Sequence, residues 1–370
     1  MMIFFWVIKF MPKSKKFLFT FILFLNLISL IFGKIINVNC NGSGDCITIQ
    51  AGINAASDGD TVLVADGIYR GKNNKRLNWN GKIKHLVVKS VNGFENCIID
   101  CEYEGNAFFF NETYQTNEDV IEGFTIKNGL EHWGGGIRCS NASPVIQSNR
   151  ITNCEAGFEH KYGPGGGILL WRSSNSIIQN NIIDNNIASA DDLSGGGGIA
   201  CFRLDQGSTQ PIIRNNVICN NLAMEDKDGG GGGIVVYISS PIIEDNLIYG
   251  NRTDWYGAGI HCIHGGKAII RKNIISCNVS TRDSASGGGI SIVGSKPLIF
   301  DNIITNNDDY GVYFKEGSVN IFSCDVHLNK EGDYCGCSPT DQYLTEEHII
   351  QSLSLSKYFE LLDIHPMVIH

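Results

Sequence analysis

Between Pro144 and Asn307 the chain repeats one pattern of apolar and polar positions, Pro-Ile-Ile-x-x-Asn-x-Ile-x-x-Asn, clearest at Pro241 to Asn251. Its six copies start at Pro144, Ser176, Pro211, Pro241, Ala268 and Pro297. With the start counted as zero, position two is always isoleucine (Ile146, Ile178, Ile213, Ile243, Ile270, Ile299), and so is position seven (Ile151, Ile183, Ile218, Ile248, Ile275, Ile304). Position five is Asn149, Asn181, Asn216, Asn246, Asn273 and Asn302; position ten is asparagine in five copies and Cys154 in the first. A glycine tract precedes each copy and closes at Ile137, Ile168, Ile199, Ile234, Ile260 or Ile290, spacings of 31, 31, 35, 26 and 30 residues. That period suits a solenoid whose coil holds three short strands, turns and one variable loop, rising about 4.8 Å per coil. Stacking turns the isoleucines into inward columns and predicts asparagine ladders that satisfy the turn backbone from coil to coil. Proline suits a strand's first residue, and the glycines suit tight turns. No tract is followed by Lys-Ser or Lys-Thr and a helix start, so a phosphate cradle is excluded.

Ahead of the repeat, Thr48 is placed to cap a short helix whose Ile49, Ile53 and Ala56 share a face over the open end of the strands. Asp58-Gly59 makes a turn before the strand Thr61 to Ala65, and Asp60 reads as part of that turn rather than as a catalytic acid. The run Thr48 to Tyr69 resembles the N-terminal cap of the pectin-lyase-like superfamily of right-handed parallel β-helices. Leu86 to Ser90, Cys97 to Cys101 and Val120 to Gly129 are similar to the first coils of secreted parallel β-helix repeat proteins. The resemblance covers about residues 40 to 337 and implies an all-β, single right-handed parallel β-helix domain at 34–337. It implies no one reaction, because the superfamily includes lyases, hydrolases, epimerases, tailspikes and adhesins. Residues 338–370 depart from it: Thr345 to Leu362 carries a helical pattern, read either as a C-terminal cap over the lower edge or as an altered tail.

Residues 1–33 place Lys13, Lys15 and Lys16 before an apolar run, Phe17 to Phe32, the layout of a signal peptide. A retained N-terminal anchor is the other reading, and it is the only route to a membrane that the chain offers. Met11 is a second candidate start. Removing Lys9, Lys13, Lys15 and Lys16 leaves 25 basic residues against 38 acids, a net charge of −13. Such a surface excludes a nucleic-acid partner, which needs a basic stripe. A secreted or surface-displayed monomer is expected. The 13 cysteines permit disulfides, but their number is odd and Cys154, Cys219 and Cys277 fall inside repeat copies, so buried thiols are favoured.

The repeat accounts for its own isoleucines and asparagines, so chemistry is sought in the loops before each glycine tract. Each loop carries carboxylates: Glu155 and Glu159; Asp191 and Asp192; Glu225, Asp226 and Asp228; Asp254; Asp283; and, after the last copy, Asp308 and Asp309. Stacked at coil spacing they offer hard oxygen ligands suited to Ca²⁺, or an ordinary solvated face. A lyase needs a cation and a base beside an acidic sugar, for which Lys161, Lys227, Arg252 and Arg282 are candidates. The motifs of polygalacturonases are not assembled; His261 and His264 are the nearest approach. Trp255 and Tyr256, with Trp133, Phe158 and Tyr162, supply ring faces for stacking on sugars, although Trp133 and Trp255 also suit roofing the core. The expected function is polysaccharide binding, with lyase activity as an extension. The alternative is a non-catalytic adhesin or structural surface protein.

Overall fold

The computed structural model describes residues 33–339 except 80–84, 112–114, 159–161, 191–192, 204–208, 226–228 and 283–285. The chain winds as a right-handed parallel solenoid, as the period predicts. Three long sheets run its length: eleven strands from Ile35–Val38 to Asn320–Phe322, ten from Gly67–Tyr69 to Asp325–His327, and nine from Phe108–Asn111 to Tyr334–Cys335. A six-stranded sheet, Leu130–Glu131 to Val279–Ser280, fills the stretch before the nine-stranded one. Each long-sheet strand pairs with its counterpart one coil away, so the fold grows by repetition along a single axis.

Three isoleucine columns form the core. Ile146, Ile178, Ile213, Ile243, Ile270 and Ile299 are in register in the first sheet. Ile151 to Ile304 do the same in the second, and Ile137 to Ile290 in the third. All are fully buried. Burying each contributes roughly 1.5–3 kcal/mol. Outward positions vary: Ile242 and Ile269 in the first sheet and Ile274 in the second are half-buried, but Leu247 in the second is covered.

Both ladders form. The backbone N–H and Nδ2 of Asn216 donate to Asn246 Oδ1 at 3.0 and 3.0 Å, and the same pair of bonds links Asn149, Asn181, Asn216, Asn246, Asn273 and Asn302 in succession. The second ladder runs Asn186, Asn221, Asn251, Asn278, Asn307 and on to Asn329, one coil beyond the sequence repeat. Cys154 joins its top through its backbone N–H alone. The residue before each first-ladder asparagine is left-handed, Ser148, Asn180, Asn215, Asp245, Lys272 and Asp301, which is the geometry that aims the amide inward. At the glycine tracts, a Cβ on Gly259 would lie 2.5 Å from the Gly289 carbonyl oxygen. Coils therefore stack there at backbone contact.

The upper end is closed by the helix Ile49–Ala55, with Thr48 Oγ1 accepting from Ala51 N. Ile49 and Ile53 are buried against the first strands. Asp60 is structural, as its turn position implies: its carboxylate accepts from Lys34 N and Ser57 N. All 13 cysteines are free, and eight of the buried or half-buried thiols are pushed upward chiefly by burial, Cys139 and Cys154 to about 12. The apolar run read as a signal peptide and the helix expected at Thr345 to Leu362 lie outside the described residues.

Candidate functional site

The strands after the glycine tracts alternate in and out, so their second and fourth residues face away from the core. In the nine-stranded sheet these outward positions form two columns. One runs Arg138, Leu169, Ala200, Val235, His261, Ser291 and Tyr313; the other includes Trp171, Phe202, Tyr237 and Ile263. Leu169, Ala200, Phe202, Val235 and Ile263 make a second apolar cluster outside the solenoid, edged by Trp133, Trp171, Tyr237 and Val293. Phe202 and Tyr237 stack at 4.7 Å with planes 4° apart, and Trp133 meets Trp171 at 4.4 Å. An aromatic track thus follows the coil axis.

Its lower end is the most built part of the surface. Trp255 and Tyr256 stand edge to face, with centroids 5.4 Å apart and planes at 79°. Arg282 fills the corner between them, its Cζ 4.1 Å from the indole and 4.0 Å from the phenol ring. Tyr256 is in turn stacked at 5.7 Å on both His261 and Tyr313. Ser291 lies between those two residues in register, and Tyr256 therefore roofs it. Lys315 places Nζ 6.0 Å from the Tyr256 centroid.

The loop carrying Trp255 is held by a chain of hydroxyls. Thr253 Oγ1 accepts from Trp255 N at 3.1 Å, and Ser280 Oγ donates to the Trp255 carbonyl at 2.8 Å. Ser286 Oγ, with one proton to give, stands within hydrogen-bond distance of both Ser280 Oγ and the Asp309 carboxylate, and that carboxylate also accepts from Ser286 N and Tyr310 N. Beneath the roof, His261 is fully buried, and neither ring nitrogen has a hydrogen-bond partner. Burial pushes its pKa down to about 3; the nearby Ser291 backbone opposes the shift, and His264 adds to it. The imidazole is consequently neutral at physiological pH. Tyr313 is raised, first by burial and then by Tyr256 beside it.

Of the charged residues expected in the loops, Glu159, Lys161, Asp191, Asp192, Asp226, Lys227, Asp228 and Asp283 lie outside the described residues. Asp254 and Arg252 are exposed on either side of buried Thr253. Asp308 and Asp309 do not serve as open ligands: Asp308 is paired with Lys330 at 2.9 Å, and Asp309 is occupied by Ser286 and Tyr310. Glu155 accepts from Ser189 Oγ. Among the described residues no three His, Cys, Asp or Glu side chains gather closely enough to hold a metal ion. The structure does bring together Trp255, Tyr256 and Arg282. It adds His261, Ser291, Tyr313 and Lys315, which follow glycine tracts rather than precede them; the period-two alternation after each closing isoleucine or valine is the signal that marks most of them. Trp133 and Trp255 sit outside the solenoid, so they do not roof its core.

No curated protein matches the chain. The family described as right handed beta helix region matches residues 117–275 and 227–346. Those spans cover more than half of the chain and coincide with the coils whose isoleucine columns and asparagine ladders are described above, and the protein belongs to the right-handed β-helix family.

Proposed function

We propose that this protein acts outside the cell as a polysaccharide-binding β-helix, with a sugar ring seated at Trp255 and Arg282 and the glycan chain following the aromatic track. The observation that carries this reading is the corner itself. It combines a half-buried indole, a phenol ring at right angles to it and a guanidinium fixed between them. A sugar offers an apolar ring face to the indole and hydroxyl or carboxylate oxygens to the guanidinium. The hydroxyl chain from Asp309 to the Trp255 carbonyl supports the same reading, because a pre-ordered loop loses little entropy on binding. Export rests on the basic-then-apolar order of residues 1–33. Lyase chemistry would require a cation site and a positioned base in addition, whereas binding needs only groups already in place.

Affinity electrophoresis through gels containing different polysaccharides tests the assignment. Trp255→Ala and Arg282→Met are each expected to weaken retention by about tenfold or more. Retention that ignores both substitutions would remove the site. A panel of uronate polymers with and without Ca²⁺, followed by ultraviolet absorbance for unsaturated products, separates turnover from binding; product formation would replace the binding reading with a lyase.

A further inference from the structure

At the upper end of the same face, Arg138 projects outward from Ile137–Ser140 into a ring-lined recess. Its Cζ lies 5.2 Å from the Phe109 centroid, 5.6 Å from Trp133 and 5.2 Å from Trp171. Arg172 packs on Trp171 as well, at 4.5 Å. Glu131, whose charge acts on Arg138, makes its hydrogen bonds to Arg76 and to His132 N rather than to Arg138. Arg138 Nε is buried without a hydrogen-bond partner, and no ion pair reaches the guanidinium among the described residues. Burial pulls its pKa down; Glu131 counters that, and the charge of Arg172 adds to it. Two cations share this recess in a chain whose net charge is −9. Three rings pack around the Arg138 guanidinium without engaging its donors, and a guanidinium so walled suits an anion such as a carboxylate.

We propose that Arg138, walled by Trp133 and Trp171, is a second subsite for an anionic sugar that works without a divalent cation, and that the ligand is an acidic polysaccharide long enough to reach both subsites. This inference rests on the glycan reading above. Arg138 and His261 stand four strands apart in register, which places the subsites about 19 Å apart on one rigid sheet. A single chain occupying both binds the second at high effective concentration, so affinity rises with chain length.

The full chain is titrated with a polyuronate, its short fragments, dextran sulfate and neutral dextran, in EDTA and over a range of salt. Wild type is expected to hold the polyuronate more tightly than fragments or dextran, with EDTA making no difference. Arg138→Met should lower polymer affinity by roughly tenfold to a hundredfold and remove the gain from fragment to polymer. Arg138→Lys, which keeps the charge and loses the planar fork, should fall between them. Circular dichroism and thermal midpoints verify that both variants are folded. Polymer affinity unchanged in both variants, abolished by EDTA, or greater for dextran sulfate than for the polyuronate overturns the carboxylate subsite while leaving glycan binding intact. A wild type that holds no polysaccharide overturns the glycan reading itself, and this subsite with it.

Discussion

Asn246 accepts twice from Asn216 and donates to Asn273 and to the Ile213 carbonyl, so one amide satisfies groups on three coils. Asn246→Ala leaves the buried Asn216 backbone N–H without its acceptor and the Ile213 carbonyl without this donor, while the Asn216 amide keeps the Ile178 and Arg214 carbonyls. It should cost about 3 kcal/mol, read as a lower urea midpoint with an unchanged slope. His261 gives the opposite kind of residue effect, one that depends on pH. Its folded pKa of about 3 lies below the ordinary value of 6.5, so the unfolded chain binds the proton first. Stability from this residue is complete above pH 6.5 and is lost as pH falls toward 3, by about 1.4 kcal/mol per pH unit within that window. His261→Phe should flatten that part of the stability profile in urea melts from pH 7 to 4. The ladder asparagines were legible because a stacked repeat copies each position. The environment of His261 was not, because its burial comes from Tyr256 and from its neighbours in the sheet.

At the scale of elements, the short strands follow from isoleucine spacing, while their turns depend on left-handed residues that the repeat does not keep constant. Ser148, Asn180, Asp245 and Lys272 all adopt the same turn geometry. The loop that presents Trp255 depends less on its own residues than on the two segments packed beside it. Ser280 and Ser286 come from the next coil and Asp309 from the one after, and together they hold the Trp255 carbonyl. Ser286→Ala interrupts that chain without touching the aromatic corner. It should leave the secondary structure intact, lower the thermal midpoint by a few degrees and weaken glycan retention, with a change in tryptophan emission as the structural readout. Recurrence along the sequence does not by itself fix where a loop acid points: Asp308 turns to Lys330, and buried Asp309 to Ser286 and the backbone.

Across the whole molecule, stability is the sum of coil-on-coil contacts, and the ends are the weak points. The helix Ile49–Ala55 covers the upper end through Ile49 and Ile53, both fully buried. Ile53→Asp should uncover unpaired strand and core, and light scattering should report more association than in the wild type. The fold class, the direction of growth, the isoleucine core, both ladders and the capping helix were determined by the sequence, because each depends on local periodicity repeated in register. The corner of Trp255, Tyr256 and Arg282, the roof over His261 and Ser291, and the recess around Arg138 were decided by the tertiary structure. Their members lie in different coils, and a one-dimensional pattern does not encode the angle at which variable loops fold back onto the sheet.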